Sequence, residues 1–157
     1  MREGHVEQVG TPDEVYLQPR TRYVARFIGS PQMDILSGRL ERRDGGLVYA
    51  VGGAAFAIPE GAAPAGPADR ELDLGVRPEH VRLASGAGVP LPVHVVQPLG
   101  AMTYVTVGWE DQSLTARLLG MAHLPPGEPV DVALDPAGLL FFDRASGRRV
   151  LPDGGLA

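Results

Sequence analysis

The residues able to do chemistry at neutral pH stand apart in this chain. His5, His80, His94 and His123 lie far from one another, and none shares a helical or hairpin spacing with a carboxylate as a metal site requires. They read as surface or satisfied histidines. None of the five serines sits in a G-x-S-x-G elbow. There are 0 cysteines, which removes thiolate nucleophiles, zinc–thiolate sites and disulfides together. All 14 basic residues are arginines, so a phosphate-loop lysine, a Schiff base and a lysine general base are excluded as well. Glu110-Asp111 follows Trp109, but adjacent strand residues point to opposite faces and Glu-Asp-Gln suits a hairpin turn, so the pair reads as a turn. No catalytic residue, cofactor site or metal site is expected.

The elements that must position these residues follow from local signals. Thr11 caps a helix with Pro12 at its first position and Glu14 completing the capping box, and Pro19 ends it. Thr21 caps a second helix over residues 22–28, with Val24, Phe27 and Ile28 on one face and Gly29 and Pro31 beyond. From Pro31 onward short apolar runs alternate with Gly, Pro and Asp. Runs 35–39 and 47–51 flank Asp44-Gly45-Gly46, a hairpin turn. Further strands are expected at 55–58, 72–76, 81–83, 93–96, 104–107, 114–118, 130–134 and 139–142, with a Pro/Gly/Ala loop over 60–69. Gly52-Gly53 and Gly154-Gly155 read as turns. Many short strands at near-regular spacing predict a mainly β fold, a small barrel or sandwich.

The chain has 157 residues and a formal net charge of −5, which argues against nucleic acid, whose phosphates need clustered cations. No apolar run approaches the roughly 18 residues that span a bilayer, so a soluble protein is expected, and the missing cysteines suit a reducing compartment.

Gly4-His5-Val6-Glu7-Gln8-Val9-Gly10-Thr11-Pro12 with Glu14, Tyr16 and Pro19, followed by Phe27-Ile28-Gly29-Ser30-Pro31, resembles the exit from the ATPase domain of ABC importers of the maltose and glycerol-phosphate class. In that family a G-x-x-x-Q-x-G-T-P-x-E-x-Y run follows the switch histidine, and F-I-G-S-P leads into a C-terminal regulatory domain. Residues 75–80 resemble the family's G-x-R-P-E-H motif. Val95-Val96-Gln97-Pro98-Leu99-Gly100 is similar to its V-x-x-x-E-x-L-G segment, departing at Pro98. Leu36-Ser37-Gly38 superficially matches the start of the LSGGQ signature but lacks its second Gly and its Gln and falls on a predicted strand.

The resemblance implies an OB-like, TOBE-type β-barrel assembly with two short N-terminal helices. Residues 1–31 would be the tail of the ATPase domain and residues 32–157 the regulatory β domain, which is expected to keep its fold when the first thirty residues are removed. Such a domain is non-catalytic, works at the cytoplasmic face of the membrane and forms a homodimer that keeps two ATPase subunits together. The permease subunits, and in some members a regulatory protein, are the further partners. ATP and Mg²⁺ would belong to the ATPase domain, with no cofactor here, and Gly75, Arg77, Pro78, Glu79 and His80 would have a structural or regulatory role. The alternative it implies is a small-ligand or oxyanion sensor, since related TOBE modules bind molybdate and Arg77, at a predicted strand end, could donate a bidentate fork. The favoured reading of Arg77 is that it pairs with Glu79 or another carboxylate to fix a loop.

Overall fold

A computed structural model describes residues 4–84, 86 and 88–157. Helix α1, Pro12–Leu17, opens with the full capping box: Glu14 N–H donates to Thr11 Oγ1, and Thr11 N–H donates to Glu14 Oε2 at 2.8 Å. Helix α2, Arg22–Phe27, is capped by the Thr21 hydroxyl, which accepts from Val24 N–H at 3.2 Å. Each helix has 6 residues, too short to persist alone, so tertiary contacts must hold them. Val24 and Ala25 are the face that α2 buries, whereas Phe27 is 67% exposed. The helical face therefore differs from the expected Val24–Phe27–Ile28 stripe: α2 ends at Phe27, and Ile28 is already extended.

Eleven strands follow among the described residues: β1 Asp34–Arg43, β2 Gly46–Val51, β3 Ala54–Ile58, β4 Arg70–Val76, β5 Val81–Ala84, β6 Val89–Pro98, β7 Met102–Trp109, β8 Gln112–Leu119, β9 Pro129–Leu134, β10 Leu140–Asp143 and β11 Arg149–Val150. They form two antiparallel sheets, ordered β11-β10-β4-β1-β2-β3 and β5-β9-β6-β7-β8. Strand β6 serves two partners: residues 89–92 pair with β9 and residues 93–98 with β7, with a register shift at Val93/Val95. That bend curls the second sheet until β5 and β8 approach, giving the nearly closed barrel expected of an OB-like fold.

Alternation along β2 and β3 points Leu47, Tyr49, Val51, Phe56 and Ile58 inward, where they join Leu74, Val105, Val107, Leu114 and Val132 in one core spanning both sheets. Trp109 closes it against Phe56, ring centroids 5.9 Å apart, and donates from Nε1 to Val51 O at 3.1 Å. Glu110-Asp111 is the β7–β8 turn, with Glu110 at φ 48. A second, small cluster of Ala25, Met33 and Phe142 fastens α2 to the first sheet. No helix among the described residues is long and apolar enough to cross a membrane.

Candidate functional site

The chain passes between the sheets twice, once from β4 to β5 and once from β9 to β10, and the stretch Gly75–His80 is the first of these crossovers. Gly75 pairs with Ile35 on one side and Leu140 on the other. A Cβ there would stand 2.6 Å from Met33 Sδ and 2.9 Å from Phe142 Cε2, so glycine is what lets this small cluster lie on the strand. Pro78, buried, starts a 3₁₀ turn over Pro78–His80 with its φ already set. His80 N–H donates to Arg77 O at 2.9 Å, and His80 O accepts from Asp135 N–H at 2.8 Å, which ties one crossover to the other. The His80 ring packs directly on Gly138, where any Cβ would collide with it. Asp135 also caps the second crossover through Ala137 N–H and receives Arg82 Nη2 at 2.6 Å. That arginine, first, and the Ala137 amide hold its carboxyl below the usual range.

Arg77 is the centre of the site. It is 4% exposed, and its fork is filled by main chain: Nη1 donates to Ile28 O at 2.9 Å and Nη2 to Tyr16 O at 2.7 Å. Both carbonyls belong to helix C-terminal ends, which lack intrahelical donors and carry partial negative charge, so one guanidinium caps α2 and α1 together. The Tyr16 ring lies under the guanidinium carbon at 3.6 Å, and the Tyr16 hydroxyl donates to Glu79 Oε1 at 2.6 Å. Gly29, at φ +125, passes so close that a Cβ would meet Arg77 Nη1 at 2.9 Å. Among the described residues no carboxylate lies within ion-pair distance of Arg77. The expected pairing with Glu79 or another carboxylate is thus corrected: Glu79 makes no ion pair with Arg77 and accepts from the Tyr16 hydroxyl instead. Carbonyls can take this role because they retain acceptor capacity at a helix end, whereas Glu79 is turned toward the phenol.

The electrostatics follow from burial. Loss of solvent lowers the Arg77 guanidinium from its ordinary value despite the neighbouring Tyr16 and Glu79. Burial, then the hydrogen bond to Glu79, raises the Tyr16 phenol. Burial alone would raise Glu79, but the Tyr16 hydrogen bond with Arg117 and His80 nearby outweighs it and leaves that carboxyl below its usual range. The result is a neutral phenol donating to a carboxylate under a cation. It is an arrangement that fixes position.

Further ties join residues 20–22 to the β domain. Arg22 forms an ion pair with Asp73, which is fully buried in β4 and also accepts from Ser37 Oγ at 2.7 Å. Arg22 N–H donates to Gly147 O and Arg149 N–H to Arg20 O, both at 2.8 Å. The tripeptide runs beside β11, with Thr21 bridged to Arg148. Asp73 and Tyr16 carry no sequence signal of this role. Asp73 sits in an alternating strand, and both partners are tens of residues away in the chain.

Among the described residues no group of three or more His, Asp or Glu side chains is placed to hold a metal ion. The histidines are dispersed: His94 packs against Gly108 in the barrel, and His80 against Gly138.

Comparison with known proteins places this architecture. Residues 29–81 match the MalK OB fold domain and residues 74–142 the TOBE domain, so the Gly75–His80 stretch lies where the two overlap. The chain is 41% identical over 152 residues to the sn-glycerol-3-phosphate import ATP-binding protein UgpC of Salmonella typhi, covering 96% of this chain and 42% of the relative. It is 43% identical over 156 residues to the UgpC of Paraburkholderia xenovorans, covering 95% of this chain and 42% of the relative. The chain thus spans less than half the length of these relatives. The fold resembles that of the cytoplasmic molybdate-binding protein ModG, with a TM-score of 0.51 and 17% identity over 69% of this chain and 94% of that one. The chain belongs to the family of paired MalK OB fold and TOBE domains that forms the C-terminal domain of import ATP-binding proteins of the UgpC kind.

Proposed function

We propose that this chain is the non-catalytic regulatory and dimer-stabilising domain of an ABC importer's ATP-binding subunit, serving uptake of glycerol phosphate or a related carbohydrate. The observation that carries the reading is the alignment of 96% of the chain with proteins named for sn-glycerol-3-phosphate import. In this reading residues 1–31 are the trailing end of the ATPase domain, and the Arg77 clamp is the joint that transmits its position to the β domain. The domain meets its twin across a two-fold axis at the cytoplasmic face of the membrane, beside permease subunits and, in some assemblies, a regulatory protein. Pairing raises the effective concentration of two ATPase subunits without any contact at the nucleotide sites.

The ModG likeness supports a second reading, an oxyanion-sensing module, at the level of fold. The fork of Arg77 argues against that residue as the oxyanion donor, since two carbonyls already fill it.

Sedimentation velocity over a wide concentration range, paired with an ATPase assay, tests the proposal. A concentration-dependent monomer–dimer equilibrium without ATP turnover is expected. A strict monomer throughout overturns the dimer role, and mutation-sensitive hydrolysis overturns the non-catalytic one.

A further inference from the structure

A cavity lies between α2 and the turn joining β10 to β11, and Arg77 is not among the residues that wall it. It holds about 720 Å³ and is walled by Glu7, Arg22, Tyr23, Arg26, Phe27 and Arg148 among others. That volume is within the range of small-molecule sites, roughly 300–1,000 Å³.

The three arginines differ in what they leave free. Arg22 is committed to the buried Asp73. Arg148 spends Nε on Ala157 O at 2.6 Å and Nη2 on Leu156 O at 3.5 Å, which leaves Nη1. Arg26 makes no hydrogen bond or ion pair among the described residues and is exposed on α2, with Asp34 in electrostatic reach. Beside them Tyr23 and Phe27 stack, ring centroids 6.1 Å apart and planes at 14°, with Phe27 67% exposed. An exposed aromatic face next to an uncommitted guanidinium fits a ligand with a flat ring and an anionic end. Glu7, held by the Thr21 hydroxyl at 3.5 Å, adds an acceptor for ligand hydroxyls.

We infer that this cavity binds a small phosphomonoester carrying a flat ring, of the size and chemistry of a nucleoside monophosphate. The phosphate dianion meets Arg26 and Arg148, the ring lies on Phe27, and Glu7 accepts from the sugar hydroxyls. The inference gives the small-ligand reading a place away from Arg77, and its test is independent of self-association.

The test is isothermal titration of the chain with AMP, inorganic phosphate and adenosine, on the parent and on Arg26→Glu, Phe27→Ala and Arg42→Glu. Arg26 and Phe27 are exposed, so both variants keep the fold, which circular dichroism checks. Arg42, paired with Glu60 elsewhere on the surface, is the control for charge alone. Saturable one-to-one binding of AMP is expected, weakened by added salt, with phosphate and adenosine each weaker. Arg26→Glu should lower AMP affinity by about tenfold or more, the loss typical of one charged hydrogen bond. Phe27→Ala should weaken AMP but not phosphate, and Arg42→Glu should change neither. Absence of saturable AMP binding at millimolar concentration overturns the inference. So does AMP binding that Arg26→Glu leaves intact, or AMP affinity equal to that of phosphate.

Discussion

Arg77→Ala removes the one side chain that caps both helices. Two charge-assisted hydrogen bonds are lost, to Ile28 O and Tyr16 O, each worth about 1.5–3 kcal/mol net. The cation over the Tyr16 ring contributes about 0.5–2 kcal/mol more. Against these stands the relief of a desolvated guanidinium, which lowers the sum, so a net loss of about 2–4 kcal/mol is expected. Urea denaturation reads the size of the loss. Hydrogen exchange reads its place: amides in residues 12–28 should lose protection, whereas the β7–β8 ladder should keep it. Arg77→Lys keeps the charge but not the fork and should fall between parent and alanine. If Arg77→Ala unfolds within about 0.5 kcal/mol of the parent, the ordinary range of surface substitutions, and residues 12–28 stay protected, the clamp is wrong.

Asp34 accepts from Thr115 N–H at 2.7 Å, yet burial pushes its carboxyl from the ordinary 3.8 up to about 6. Because the folded value exceeds the unfolded one, its stabilisation is full below pH 3.8 and is lost as pH rises through about 6. Asp34→Asn, which keeps an acceptor and no charge, should therefore stabilise the chain by about 1–3 kcal/mol at pH 7 and by little near pH 4, as thermal melts at the two values would show. Removing residues 1–31 would uncover Met33 and Phe142 and strip Arg22 from the buried Asp73. The shortened chain should be less stable by about 3 kcal/mol or more in urea, even where the β domain keeps its fold. A denaturation midpoint unchanged by the deletion would refute the weight given to these ties.

What the sequence made legible was local. Thr11 with Glu14, and Thr21 before an apolar run, announced both helices because capping involves residues only three apart. Asp44-Gly45 announced its hairpin through left-handed backbone, φ 47 and 82. Strand β11, two residues long, and the first half of β6 were missed. In β6, Pro90 and Pro92 break the usual strand pattern yet stand in the ladder with β9. The motif of residues 75–80 was visible as a stretch, but its meaning was not. The partners of Arg77 are carbonyls 49 and 61 residues away, and a carbonyl leaves no mark in composition. The same holds for α2, where spacing alone could not tell that Phe27 faces outward and Ala25 inward.

Whether this chain serves as the accessory domain of an importer ATP-binding subunit can be measured by replacement. The C-terminal region of a UgpC relative is exchanged for residues 4–157 of this chain, and ATP-dependent glycerol 3-phosphate uptake is measured in cells lacking their own ATP-binding subunit. Uptake should be restored by the exchange, reduced when the exchanged domain carries Arg77→Ala, and absent when the region is deleted. A stable, membrane-assembled chimera that supports no uptake, or a deletion that transports as well as the chimera, would contradict it.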